Sequence, residues 1–183
     1  MNKLKLLLIS GLPGSGKSTM AESLAAKLLI PLFSVDQIES SIIKSGLKRS
    51  FETGLAAYVV SETLAGEQLK LGMSVVIDAV SPVQEARDMW HNLVHMQNAT
   101  LIIIECVLEK ELHKKRIESR RRNMFGIPEV TWDDVENRRK IYLPWKEERL
   151  VLDTSSTHEK NVQEALDYIC LTEGVSTNSR CSA

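Results

Sequence analysis

Residues 11–19 read Gly-Leu-Pro-Gly-Ser-Gly-Lys-Ser-Thr, set between the apolar run LKLLLIS and the helical pattern MAESLAAKLLI. A buried strand must therefore empty into a glycine turn that opens a helix. The glycines permit positive φ and let successive backbone N–H groups curl around an anion. The helix that follows adds its positive N-terminal end to the same spot. The spacing fits G-x-x-x-x-G-K-[ST]. Gly11, Leu12, Pro13, Gly14, Ser15, Gly16, Lys17, Ser18 and Thr19 then form a phosphate cradle, with Lys17 on the outer phosphates and the Ser18 hydroxyl on Mg²⁺. Two other readings compete. One is an ordinary glycine turn. The other is a dinucleotide loop, with Gly14-x-Gly16 opening G-x-G-x-x-G and Asp36 placed for a ribose contact. Thr19 stands where that motif wants glycine or alanine, and Lys17-Ser18 suits a phosphate tail better.

The rest of the chain keeps the same alternation. Strands are expected at Leu4–Ser10, at LFSV before Asp36, at MSVVID ending in Asp78, at Thr100–Leu108 and at Arg149–Leu152 before Asp153. Helical spacing occupies 17–29, 37–45, Phe51–Leu71, Glu109–Arg122, Thr131–Tyr142 and a final segment carrying Val162, Ala165, Leu166 and Ile169. Ser81-Pro82-Val83-Gln84 reads as a capping box opening another helix, with Ala86, Met89, Trp90, Leu93 and Val94 on one face. Most strands are apolar throughout, as in a parallel sheet covered by helices on both faces. Such an α/β sheet binds ligands beyond the carboxyl ends of its strands, where Ser10-Gly11, Asp36, Asp78 and Asp153-Thr154 fall.

At 183 residues the chain suits one domain, 1–172, followed by a polar tail, 173–183, expected to be disordered. The net charge of −1 draws it to neither nucleic acid nor membrane, so a charged ligand needs a local cluster. The first ten residues are too short in their apolar run for a signal peptide, and no stretch is long enough to span a bilayer. Cys106, Cys170 and Cys181 fit neither a zinc pattern nor a disulfide framework. That suggests core thiols at Cys106 and Cys170 and a cytoplasmic setting.

Four positions could carry chemistry beside the glycine turn. Asp36 could take the proton of an attacking hydroxyl, or cap the next helix. Asp78 could hold Mg²⁺, or close a turn. The stretch KKRIESRRRNMFGIP puts Arg116 and Arg120 on one helix face. It could be a solvated face, a nucleic-acid patch, or a lid at about 114–128 whose arginines close on a triphosphate; the Gly126-Ile127-Pro128 break favours the lid. The histidines His91, His95, His113 and His158 read as surface positions, and Trp132 and Trp145 as packing residues.

GLPGSGKST, Asp36, VVIDAVSPVQEARDMW, RIESRRRN, Tyr142-x-Pro144-Trp145 and LVLDTSS together resemble the small P-loop kinases related to nucleoside monophosphate kinases. The polynucleotide-kinase-like and zeta-toxin-like branch is the nearest. The resemblance implies a three-layer α/β/α fold with a five-stranded parallel sheet ordered 2-3-1-4-5. It implies transfer of the ATP γ-phosphate to a hydroxyl with Mg²⁺, Asp36 activating the acceptor, Lys17 and Ser18 on phosphate and metal, Asp78 as the metal acid, and Arg116 and Arg120 as lid arginines. It matches Arg87 to a family position without assigning its role. Glu39 stands where polynucleotide kinases carry arginine, and Ala79-Val80-Ser81 where they carry Asn or Thr. The expectation is therefore an ATP-dependent kinase of a small-molecule acceptor. A polynucleotide 5′-hydroxyl kinase, or a nucleotide switch acting through a protein partner, are the alternatives.

Overall fold

The computed structural model describes residues 3–172. The expected tail and Cys181 lie outside the described residues. β1 (Lys5–Ser10) leads through the glycine turn into α1 (Lys17–Leu28). There follow β2 (Leu32–Ser34), α2 (Val35–Lys44), α3 (Phe51–Lys70), β3 (Val75–Asp78), α4 (Gln84–Met96) and β4 (Thr100–Val107). The chain continues through α5 (Lys110–Ser119), α6 (Trp132–Ile141), β5 (Leu150–Asp153) and α7 (His158–Leu171). The strands form one parallel sheet in the order β2-β3-β1-β4-β5, as the resemblance implies.

Alternation along β1 explains the two helical layers. Leu6 and Leu8 point into a core shared with Ala57, Leu69 and Trp90 of α3 and α4. Leu7 and Ile9 point the other way, onto Met20, Leu24, Val162 and Ile169 of α1 and α7. All four are essentially fully buried, each contributing about 1.5–3 kcal/mol. Register then aligns the carboxyl ends: Ile9 pairs with Asp78, Ser34 with Asp78 and Val107 with Asp153. After β1 the chain builds one side of the sheet through β2 and β3, then returns to the other through β4 and β5. The glycine turn thus stands where the winding reverses. Among the described residues no helix is long and apolar enough to cross a membrane.

Several expectations need correction. The capping box at Ser81 does not form. Ser81 is buried with φ 45°, its hydroxyl accepting from Trp90 Nε1, its N–H donating to the Tyr58 hydroxyl and its carbonyl accepting from Arg87 Nε. Its polar groups are spent on tertiary partners, so α4 starts only at Gln84. The helix expected to run to Arg122 stops at Ser119. Glu129 Oε1 accepts the backbone N–H groups of Arg122 and Asn123 at 2.7 and 3.0 Å, satisfying them outside a helix. Arg120 is extended, so it shares no helix face with Arg116. Asp36 lies in the first turn of α2 rather than at a strand end, and Ser34 occupies the N-cap position. Cys106 is a buried free thiol, but Cys170 is disulfide-bonded, which removes the cysteines as support for a reducing compartment.

Candidate active site

The glycine turn is held in shape by what surrounds it. Gly11 has φ 139°, and a Cβ there would lie 2.3 Å from the Cys106 carbonyl oxygen. Gly16 is the N-cap of α1 at φ 94°. No side chain caps this helix and its first turn holds no acid, whereas Ser50, Glu109 and Thr131 cap α3, α5 and α6 with their own side chains. The N–H groups of α1 are thus left for an anion. They open onto a cleft of about 440 Å³ whose walls include Gly16, Lys17, Ser18, Thr19, Arg120 and Thr154.

Lys17 and Asp78 are both 4% exposed, with Nζ 3.8 Å from Oδ1. Asp78 Oδ2 accepts from Ser34 Oγ at 3.1 Å, but Oδ1 is buried with no hydrogen bond. A buried carboxylate oxygen without a hydrogen bond, close to the residue that begins α1, fits a hard cation. Among the described residues no three His, Cys or acidic side chains cluster for a metal. The protein would therefore offer Mg²⁺ only Ser18 and Asp78, leaving its other positions to phosphate and water, as this ion prefers.

Two contacts brace the turn from outside. His113, read as a surface residue, is 2% exposed, and its Nε2–H donates to the Pro13 carbonyl at 2.8 Å. Burial pushes its pKa below the ordinary value, and the neighbouring cations Arg139, Arg116 and Arg120 push the same way; the Pro13 bond opposes them without prevailing. A neutral imidazole is the form that results. The Trp132 ring meets it edge-on at 5.5 Å. The one hint in the sequence is that His113 and Ile117, four apart, are the two buried positions of an otherwise charged helix. On the other flank, Thr154 Oγ1 donates to the Ser15 carbonyl at 2.7 Å. Arg116 grips that same threonine, Nη1 on its hydroxyl at 3.2 Å and Nη2 on its carbonyl at 3.1 Å.

Across the cleft, Asp36 pairs with Arg122, Nη1 to Oδ2 at 2.7 Å. Burial alone would raise the Asp36 pKa, but Lys17, Arg122 and Arg138 together outweigh it and hold the carboxyl below its ordinary value. Arg122 arrives because the segment after α5 is seated on α2. Ser40 Oγ donates to the Phe125 carbonyl at 2.9 Å, and Gly126 packs so closely on Ile43 that a Cβ would clash. The three arginines thus divide. Arg122 sits on Asp36, whereas Arg116 and Arg120 both line the phosphate cleft, Arg116 held on Thr154 and Arg120 with Nε and Nη2 buried and unpartnered. Burial, then the Arg122 charge, lowers the Arg120 pKa, so an incoming anion would relieve it. Arg122 was not among the candidates from the sequence, because only the seating of this loop brings it to Asp36.

Arg87 has a structural job. It is 1% exposed, donates to the carbonyls of Ser81, Leu143 and Pro144, and stacks 3.8 Å above the Trp145 ring. It locks the segment leaving α6 to α4.

Comparison with known proteins places this site. Residues 6–141 match the family model described as AAA domain. The chain belongs to that family. Among its relatives, this AAA-domain chain is 28% identical over 180 residues to the adenylyl-sulfate kinase of Bacillus pumilus (strain SAFR-032), covering 92% of this chain and 86% of that protein. It is 27% identical over 136 residues to the bifunctional polynucleotide phosphatase/kinase of Schizosaccharomyces pombe, covering 73% of this chain but 29% of that protein. The fold matches the Mycobacterium tuberculosis APS kinase solved with AMPPNP and APS. There the TM-score is 0.70 at 20% identity, over 92% of this chain and 99% of that one. These relatives agree at the level of P-loop kinase and divide below it.

Proposed function

We propose that this P-loop phosphotransferase moves the γ-phosphate of ATP to a hydroxyl of a small-molecule acceptor. The observation that carries the reading is Asp36, an ionised and half-buried carboxylate paired with Arg122 and near enough to Lys17 of the phosphate cradle for that lysine's charge to hold its pKa down. A switch or simple ATPase has no need of an acid there. The N–H groups at the start of α1 and the Lys17 ammonium would hold the β- and γ-phosphates. Arg120, with its unsatisfied nitrogens, would meet the transferring group. Ser18 and Asp78 would hold Mg²⁺, which supplies charge neutralisation on the phosphate oxygens when bound. Asp36 would orient the acceptor hydroxyl and take its proton as the new O–P bond forms. The bond broken is that between the γ-phosphorus and the oxygen bridging to the β-phosphate, which leaves as ADP. Glu39 supports a small acceptor over a polynucleotide. It accepts from Thr53 Oγ1 at 3.3 Å and lies 3.7 Å from Arg49, an acid where polynucleotide kinases carry an arginine.

The test is ADP release with ATP·Mg²⁺ and pooled hydroxyl acceptors. Release that depends on an acceptor, and is lost in Lys17→Ala, is the expected result. Slow hydrolysis indifferent to every acceptor would overturn the reading in favour of a nucleotide switch.

A further inference from the structure

A second cavity, of about 160 Å³, lies behind the glycine turn. It shares no lining residue with the phosphate cleft. Its floor is Gly11, Leu12 and Ser15 of the turn, and its far wall is the end of β4 with Leu108. His113, Arg139 and Tyr142 complete it. Val107 and Arg139 are exposed, so the cavity opens to solvent on their side.

Most polar groups in these walls are already bonded. Arg149 Nε donates to Glu105 Oε2 at 2.6 Å, and Arg139 Nε to Glu136 Oε1 at 3.0 Å. His113 holds the Pro13 carbonyl. The Tyr142 hydroxyl accepts from Trp145 Nε1 at 2.8 Å and meets Ser10 Oγ at 3.2 Å. Burial pushes the Cys106 thiol up to about 12, which makes it neither a nucleophile nor a metal ligand. Ser15 is the exception. It is 1% exposed, and its Oγ has no hydrogen bond. That oxygen lies 2.6 Å from where a Cβ on Gly11 would sit, on the side of the turn that faces Cys106. It therefore looks toward this cavity and away from the phosphate cleft. A buried hydroxyl with neither its proton nor its lone pairs used is a cost that a hydrogen-bonded occupant removes.

We infer that this cavity is a second binding site and that it takes a small uncharged polyol. The space is many times what one water needs and close to that of a cavity which holds benzene, so it suits about six non-hydrogen atoms. Glu105 and Arg139 each have their own counter-ion, so the walls offer no net charge to hold an ion. A hydroxyl on the occupant both donates and accepts, matching the two roles left open at Ser15. Its neighbours would reach the outer N–H groups of Arg139, and its carbon chain would lie against Leu12, Val107 and Leu108. The site is independent of the acceptor at Asp36. The Ser15 hydroxyl and the Ser15 carbonyl, which Thr154 holds, belong to one turn. An occupant that fixes Ser15 thus also fixes the phosphate cradle. Polyol and nucleotide must then strengthen each other's binding by the same factor.

The probe is glycerol, with 1-butanol as a control of similar size and a single hydroxyl. The full chain, labelled at its Leu and Val methyls, is titrated by NMR with and without AMPPNP·Mg²⁺. Saturable shifts at the methyls of Leu12, Val107 and Leu108 are expected, reached at lower glycerol concentration when the nucleotide is bound. Ser15→Ala should weaken glycerol roughly two- to tenfold. Leu108→Trp fills the cavity and should abolish the saturable shifts, whereas Asp36→Asn should leave them unchanged. Shifts that grow without saturating, that 1-butanol matches, or that are equal in Ser15→Ala and wild type would each overturn the inference. Loss of the shifts in Asp36→Asn would also overturn it, by assigning the glycerol to the acceptor site. Equal glycerol affinity with and without bound AMPPNP would overturn the coupling to the cradle. Thermal melts establish that each variant is folded, and the Ser15→Ala comparison decides if Leu108→Trp is not.

Discussion

The phosphate half of the cleft is nine consecutive residues, 11–19, braced from behind by His113 and Thr154. The proposed acceptor half joins Asp36 of α2 to Arg122 of the loop after α5, 86 residues apart in sequence. The first half is a local device: its glycine torsions and helix start bind phosphate wherever a strand and helix hold them. The second exists only because the 120–129 segment sits on α2 and Arg87 pins the chain beyond α6. A triphosphate site can therefore be kept while the acceptor site is rebuilt, which is how relatives as different as adenylyl-sulfate and polynucleotide kinases share one fold.

The sharpest way to separate the halves is Asp36→Asn. It removes the proton acceptor and the counter-ion of Arg122 without touching the glycine turn. Turnover should fall by roughly 10²–10⁴, while AMPPNP affinity by calorimetry stays within about threefold. Wild-type turnover in the variant would exclude Asp36 as the base, and an equal loss of nucleotide affinity would show that the halves are not independent.

The same contrast explains what the sequence could reveal. The strands, the cradle and the positions of Asp78 and Thr154 follow from contiguous patterns: apolar runs, a fixed glycine spacing and a polar residue at each strand end; the strand order follows only from the resemblance to the small P-loop kinases. Arg116 and Arg120 were read as a pair because a helix was assumed to run through both. Both line the cleft, but not from one helix face, because Glu129, seven residues past Arg122, claims the N–H groups of Arg122 and Asn123. Arg122 could not be picked from the other arginines, since nothing local distinguishes a cation that meets Asp36 from one that meets water. His113 and Ser81 were misjudged for a related reason: polar residues look exposed or helix-capping until their buried partners, the Pro13 carbonyl and the Tyr58–Trp90–Arg87 group, are known.

Arg87→Met probes the scaffold of the acceptor half. The substitution leaves the buried carbonyl of Ser81 and the partly buried carbonyls of Leu143 and Pro144 short of a donor, and removes the cation from the Trp145 face. A loss of about 3 kcal/mol is expected, read as a melting temperature lower by roughly 6–12 °C. At a temperature where the variant remains folded, nucleotide affinity should change less than acceptor KM. A larger effect on nucleotide binding would mean that Arg87 supports the cradle instead.

The smallest effect belongs to the phosphate half and depends on pH. His113 is held neutral in the folded protein, with its pKa below the ordinary value near 6.5. Below pH 6.5 the unfolded chain takes up a proton at this position that the native one refuses. Stability at this site is therefore full above pH 6.5 and declines as the pH falls toward the depressed native value, by at most about 1.4 kcal/mol per pH unit. Asp36, also depressed, contributes its own loss only below the ordinary aspartate range, whereas that of His113 begins at pH 6.5. The melting temperature of the wild type should thus drop more steeply between pH 6.5 and 5.5 than that of His113→Gln, which keeps an N–H donor for Pro13 but cannot titrate. AMPPNP affinity should decline in parallel in the wild type alone, because a charged His113 would loosen the turn it braces. Parallel melting curves would mean that the imidazole is charged in the native state, and the Pro13 contact would then be a bond to a cation rather than a neutral brace.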